Sequence, residues 1–337
     1  MAVTGGRAGG RAGGVVCAGN WIVDIVHTID AWPGKSDLVF IRDEATGVGG
    51  GAANVALDLA AFGTGLAVIP VGLLGGDLHG HVALEACRAA GLPVDFMAHT
   101  DAAPTAHTHV MNVPGDSRTF FYHPGANDLF GAEHVPVAAL AGTGARLFYL
   151  GYINLMGGLD RLDGDGGTAA ARILKAAKAA GFVTVADLVS ADSPDFAARV
   201  AAACPHLDVL FLNEIEAARA TGQAVSGPGD RAGLARAAGV LRDLGAGTVV
   251  AHTAAMSLWL GPGGMVAGAP EPVDPADIVS PVGAGDAFAA GVILGLHEGW
   301  APETCLTLGH RAAAACLKGA TATGSIPPLA VLMAGAA

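Results

Sequence analysis

The chain has 337 residues, 52% of them hydrophobic and 14% charged, with 51 glycines and a formal net charge of -12. This excludes bulk disorder and leaves ample material for the core of one large domain, with or without a small appendage. The acidity argues against nucleic acid as a partner, since no basic stripe is available to neutralise a phosphate backbone.

No apolar run reaches the ~18 residues of a membrane span without a charge or a proline. Five cysteines (Cys17, Cys87, Cys204, Cys305, Cys316) stand apart, with no C-x-x-C pair, which fits a reduced, cytoplasmic protein. Residues 1–14, MAVTGGRAGGRAGG, carry two arginines but no apolar segment of the secretory kind, and read as a flexible leader.

Order begins with a buried strand over residues 15–19, expected to run on to residues 25–26. Asp24 is the acidic residue in this apolar run. A carboxylate there either satisfies a turn N–H or accepts two vicinal hydroxyls of a polyol. After the turn Trp32-Pro33-Gly34, polar β segments at 36–46 and 105–122 read as a small sheet extending from the main domain, a lid. The sequence PGDS makes the hairpin turn within the second segment. His107 and His109 alternate onto one face. With no third ligand in view, they read as exposed strand histidines rather than a zinc site.

Between the lid segments lies GVGGGAANVALDLAAFG. Gly49, Gly50 and Gly51 let a ligand approach the backbone, and residues 52–62 form a helix ended by Gly63, with Asn54 in its first turn. A strand at 66–71 and a helix at 81–90 follow. HPGAN, ending in Asn127, is a second polar, glycine-bearing loop.

From residue 147 the rhythm is β-α-β: strands at 147–150, 183–186, 209–212 and 248–251 alternate with helices at 168–180, 196–203 and 231–244, and a last helix spans about 301–317. Such alternation implies a doubly wound, mostly parallel sheet flanked by helices, with ligands at the C-terminal strand ends. Asp24, Asp187, Asn213 and the stretch IVSPVGAGDAFAAG (278–291) all follow strands at that edge. In that stretch Gly283, Ala284 and Gly285 form a tight turn into a helix, an anion site whose usual occupant is phosphate. Asp286 beside it either caps the helix or accepts a proton from an attacking hydroxyl.

Taken together, GGGAANVA and SPVGAGDAFAAGVI, with HPGAN and NEIEA in order between them and KGATATG near the end, resemble the two signatures of the ribokinase-like (PfkB) carbohydrate kinases. The resemblance covers nearly all of 15–330, leaving 331–337 as a tail. It implies transfer of the ATP γ-phosphoryl group to a hydroxymethyl oxygen of a sugar or nucleoside. Asp286 would be the base, and Gly283, Ala284 and Gly285 the anion hole. Asp24, Gly49, Gly50, Asn54 and Asn127 would bind the acceptor. Thr253, His310 and Gly319 would join Gly283 and Gly285 around the nucleotide. Asn213 and Glu216 would organise Mg²⁺ indirectly, through water or phosphate. The polar strands would be the acceptor lid and a possible homodimer contact.

Departures from the family pattern are also visible. Ile22 stands where an asparagine is frequent, which argues against ribose. Ser280 stands where many members place an aspartate that helps hold a monovalent cation. No arginine in the acceptor motifs suggests a phosphorylated sugar, so an unphosphorylated acceptor is expected. A non-catalytic sugar- or nucleotide-binding regulator on the same scaffold is the alternative. A nicotinamide-dependent oxidoreductase is disfavoured, since GNWIVD rather than G-x-G-x-x-G follows the first strand.

Overall fold

The computed structural model describes residues 12–114 and 118–334. Most of the expected leader, three residues of the PGDS turn (Gly115, Asp116, Ser117) and the end of the 331–337 tail lie outside the described residues. Thirteen strands form within them: β1 (Gly14–Gly19), β2 (Ile22–Ile29), β3 (Ile41–Gly49), β4 (Ala67–Gly75), β5 (Met97–Thr100), β6 (His107–Asn112), β7 (Thr119–His123), β8 (Leu147–Ile153), β9 (Val183–Leu188), β10 (Val209–Leu212), β11 (Thr248–His252), β12 (Ser257–Gly261) and β13 (Gly264–Gly268). The helices are α1 (Gly51–Ala61), α2 (Leu78–Ala89), α3 (Val137–Ala141), α4 (Gly157–Asp160), α5 (Ala169–Ala179), α6 (Phe196–Ala203), α7 (Glu214–Thr221), α8 (Arg231–Asp243), α9 (Ala284–Glu298), α10 (Pro302–Cys316) and α11 (Leu329–Ala334).

Nine strands make one sheet in the order β13-β12-β11-β10-β9-β8-β1-β4-β5. Pairing is parallel from β11 to β5, and β12 and β13 add an antiparallel edge. The parallel strands read as unbroken apolar runs (Val15-Val16-Cys17-Ala18, Val209-Leu210-Phe211-Leu212) because helices cover both faces. One core cluster gathers residues of α5 to α8, and the other gathers residues of α1, α2, α9 and α10. From β1 the strand order proceeds through β4 on one side and β8 on the other. The C-terminal ends of β1 and β8 therefore flank the switch point where such sheets bind ligands.

The expected strand from 15 to 26 is two strands. At Asn20 the backbone N–H turns to Gly151 O (2.9 Å), and β2 leaves the large sheet for a second one, ordered β3-β2-β6-β7. This small sheet carries the two polar segments expected as a lid. Its first expected segment starts later than composition suggested: 36–40 is irregular, and pairing with β2 begins at Ile41. Among the described residues no helix is long and apolar enough to cross a membrane.

Candidate active site

At the start of α9, Gly283 adopts φ 84°, and a Cβ there would lie 2.7 Å from Ala322 Cα, so the turn excludes any side chain. The helix opened by this turn presents first-turn N–H groups that have no intrahelical acceptor. Asp286 sits in that first turn and is 5% exposed. Asn54 Nδ2, from the first turn of α1, donates to its Oδ2 at 2.8 Å, and the Tyr152 hydroxyl, from the end of β8, reaches both carboxylate oxygens at 2.7 Å. Burial pushes the Asp286 pKa up to about 6, and these two donors hold it from rising further. The result is a carboxylate that is ionised at neutral pH yet more basic than a surface aspartate.

On the lid side, Asp24 lies on β2 opposite Gly47 of β3 and Thr108 of β6. Its pKa is also raised to about 6, first by burial and then by the charge of Asp286, with a hydrogen bond from Thr108 acting the other way. The two carboxylates thus sense each other's charge, one from the small sheet and the other from the first turn of α9. A Cβ at Gly49 would stand 2.2 Å from Asp24 Oδ2, which explains glycine there. Gly50 is the N-cap of α1, packed against Asn20 O. Asn127 is fully buried: its side chain accepts from Trp21 N (3.3 Å) and donates to Trp21 O (3.2 Å) and the Tyr122 hydroxyl (3.3 Å). Its amide fixes the chain where β1 hands over to β2.

On the other side of the Gly283 turn lies a cavity of about 780 Å³, within the range of small-ligand sites. Asn213, His252, Thr253, Gly285, Phe288 and His310 are among the residues that line it. His310 Nε2 is within 2.8 Å of Ser257 Oγ and its ring packs edge-on against Phe288. Thr253 closes the turn between β11 and β12, its hydroxyl accepting from Ala255 N and Met256 N and donating to Pro228 O. Gly319 does not line this cavity; it packs on Ser325, and its neighbours Thr321 and Ala322 stand at the lid side of the Gly283 turn.

Asn213 and Glu216 form a capping box at the start of α7. Asn213 Oδ1 accepts from Ile215 N and Glu216 N, and Glu216 Oε2 accepts from Asn213 N. Ser190 links the pair, accepting from Asn213 Nδ2 and donating to Glu216 Oε1 (2.8 Å). Asp187, at the end of β9, is buried with them; burial, then Glu216, then Asp286 drive its pKa upward.

Sequence reasoning missed four residues. Tyr152 had no motif to mark it. Arg118 comes from the lid: its Nη1 donates to Ser280 Oγ at 2.5 Å, and it shares a small cavity with Asp24, Val282 and Thr321. His252 is half-buried with its Nε2 shielded and unpartnered, and desolvation and then His310 lower its pKa to about 4, so it is neutral. Asn20 is fully buried with both side-chain polar atoms unpartnered, beside Gly50. The motif SPVGAGD could have pointed to Ser280 as a docking point for a lid donor, but only the fold brings Arg118 there.

His107 and His109 are joined by His27, His79 and His123. Neighbouring ring centroids lie 4.8–5.7 Å apart, and His27 also meets Glu44. These ring pairs are stacked, tilted or edge-on, and among the described residues no three His, Cys, Asp or Glu side chains are arranged to hold a metal ion.

A doubly wound sheet with a β lid, a glycine turn opening a helix, and a buried carboxylate in that helix's first turn define a class of small-molecule phosphotransferase. Residues 14–328 match the family described as pfkB family carbohydrate kinase, and the chain belongs to it. Its members are phosphotransferases acting on an alcohol. The ribokinase of Arabidopsis thaliana is 26% identical over 328 residues, covering 93% of this chain and 78% of that protein. Among solved structures, Arabidopsis ribokinase complexed with ribose and ATP superposes with a TM-score of 0.79 at 23% identity, covering 96% of this chain and 98% of that one. A ribokinase II of E. coli in complex with ATP and Mg²⁺ gives 0.78 at 17% identity, with the same coverage of both chains. The nucleoside kinase of Methanocaldococcus jannaschii gives 0.73 at 16% identity, covering 97% and 98%.

Proposed function

We propose that the chain is an ATP-dependent kinase that transfers the γ-phosphoryl group to a hydroxymethyl oxygen of an unphosphorylated sugar. The observation that carries this reading is the position of Asp286. It stands in the first turn of a helix opened by a side-chain-free turn, with the cavity of about 780 Å³ on one side and Asp24 on the other. An alcohol is far too weak an acid for a ground-state carboxylate to ionise. Asp286 therefore accepts the proton as the new O–P bond forms, while Gly283, Ala284 and Gly285 meet the charge developing on the phosphoryl oxygens. Asp24, Gly49, Gly50 and Asn54 hold acceptor hydroxyls, with the buried amide of Asn20 as a further polar group beside them.

The cavity suits ATP. Thr253, Gly285 and His310, which the family resemblance assigns to the nucleotide, all line it. Mg²⁺ would supply neutralising charge for the phosphates, and the Asn213–Glu216 pair at the start of α7, linked through Ser190, is where it would be organised. Asn213 and Glu216 would hold it through water. Arg118 donates to Ser280, where many members of the family place an aspartate for a monovalent ion, so its guanidinium would supply positive charge there. All five cysteines are free and buried, in keeping with a reducing, cytoplasmic setting.

A nucleoside acceptor is the second reading. It is favoured by Tyr122, an aromatic side chain whose hydroxyl accepts from Asn127 and feels the charge of Asp24. ADP release with ATP and Mg²⁺ across a panel of sugars and nucleosides decides between the two. Asp286→Asn should cost on the order of 10²–10⁴-fold in rate. No turnover above the ATPase background with any acceptor, together with an inert Asp286→Asn, would leave a binding protein on a kinase scaffold.

A further inference from the structure

Two buried polar groups of α1 lack partners, and one proton would satisfy both. Asn54 is 3% exposed and donates through Nδ2 to Asp286, yet its Oδ1 accepts nothing. Asp58, one helical turn further along, is fully buried, and neither of its carboxylate oxygens has a partner. Residues at i and i+4 share a helix face, and helical side chains lean toward the N-terminus, so the Asp58 carboxyl leans over Asn54.

An ionised carboxylate in this position would have neither donor nor cation to compensate its desolvation. The titratable groups coupled to it, Asp286 from α9 and Cys316 from α10, offer no relief. The charge of Asp286 opposes that of Asp58. The Cys316 thiol points to Ala322 O (3.1 Å) and Val282 O (3.4 Å). A neutral carboxylic acid has the one thing Asn54 Oδ1 lacks, an O–H donor.

We infer that Asp58 is held as the neutral acid and donates its hydroxyl hydrogen to Asn54 Oδ1, directly or through one water, completing a relay Asp58–Asn54–Asp286. The relay fixes which end of the amide faces the base. Without a donor on Oδ1, the Asn54 amide can turn over and set Oδ1 against the Asp286 carboxylate, replacing an attraction by a repulsion. Asp58 is a positioning residue, since it touches neither acceptor nor nucleotide. The catalytic consequence rests on the reading of Asp286 as the base; the protonation of Asp58 does not.

Two measurements test this on the full chain. In protein labelled with ¹³C at the aspartate carboxyl carbons, one resonance should stay at the protonated position up to pH 8 and vanish in Asp58→Asn. In kinetics, Asp58→Asn keeps an N–H donor for Asn54 Oδ1 and should leave kcat and the acid limb of kcat/KM close to wild type. Asp58→Leu removes the donor, so kcat should fall on the order of tenfold. Its acid limb should move to higher pH as Asp286 loses a hydrogen bond to its charged form. Equal behaviour of the Asn and Leu variants, or a wild-type Asp58 resonance that is ionised at pH 8, overturns the relay. If Asp58→Leu does not fold, the resonance decides alone. If Asp286→Asn retains full activity while the protonated resonance persists, the base assignment fails and the neutral Asp58 stands.

Discussion

The Tyr152 hydroxyl donates to Asp286 from 2.7 Å, across 134 residues of sequence. The phenol is itself shielded from ionisation, its pKa driven well up by burial and then by the neighbouring Asp286 charge, so it remains a donor throughout the working pH range. It stabilises the charged form of the proposed base and so makes it a weaker one. In Tyr152→Phe that donor is gone, and the Asp286 pKa should rise from about 6. Because the base acts only when ionised, kcat/KM should fall as pH drops through about 6 in the wild type, and at a higher pH in the variant. Asp24 titrates in the same region and is coupled to Asp286, so the limb reports the pair; Asp24→Asn isolates the Asp286 component. A pH–rate profile unchanged in Tyr152→Phe would remove the phenol from the catalytic apparatus.

A raised carboxylate pKa also has a cost in stability. The folded state binds the Asp286 proton more tightly than the unfolded chain does. Stability is therefore lost as pH rises from the unfolded value of 3.8 through about 6, and the full penalty is present above that. Asp286→Asn should raise Tm at pH 8 and not at pH 4. The gain is bounded at about 3 kcal/mol by the size of the shift, and is smaller in practice because an amide accepts fewer hydrogen bonds from Asn54 and Tyr152. Thermal unfolding at the two pH values checks this; an Asn variant less stable than wild type at pH 8 would show that the donors outweigh desolvation.

The fold was legible because its signals are local and repeated: apolar runs such as Val209-Leu210-Phe211-Leu212 between amphipathic helices leave few alternatives to a parallel sheet. Glycine positions carried as much, since Gly283 and Gly49 are demanded by close approaches that no side chain survives. The break at Asn20 was not legible, because apolar residues resume at Trp21 immediately after Gly19-Asn20, so two residues are all that mark the change of sheet. Asp286 and Asn54 were readable from their motifs, but Tyr152, Arg118 and His252 reach the site from 134 residues or more away from the residue each meets, or from a strand end with no turn chemistry to mark it. Asp58 has no motif to mark it, and it is buried where α1 packs against α9 and the neighbouring strands.

Arg118 ties the lid to the motif that precedes the Gly283 turn, through Ser280. Closing the lid over the acceptor excludes water from the phosphoryl group. Arg118→Met should therefore raise the acceptor KM and the ratio of ATP hydrolysis to acceptor phosphorylation. Ser280→Ala should act in the same direction, and the double variant should be little worse than either alone, since both remove one contact. If the guanidinium supplies the local charge, K⁺ should change the wild-type rate little and partly restore the Met variant. Strong K⁺ activation of the wild type, with fully additive variants, would separate Arg118 from this role.

The outer lid carries an unusual number of exposed large apolar side chains: Trp32, Phe40, Ile41, Phe120 and Phe121, with Trp32 stacked on Phe121 at 6.2 Å. Apolar surface gathered on the small sheet and the β2–β3 connection is of the kind that serves as an interaction face. If two copies meet through their lids, light scattering should give a dimer at micromolar concentration. Phe121→Glu should shift it to monomer, because the new charge would be desolvated at the contact. The same variant should raise the acceptor KM more than the ATP KM, since the lid strands carry Asp24 and Thr108 while the nucleotide cavity is lined from the main domain. A monomer at all concentrations, or a dimer untouched by Phe121→Glu, would free the lid face from that role.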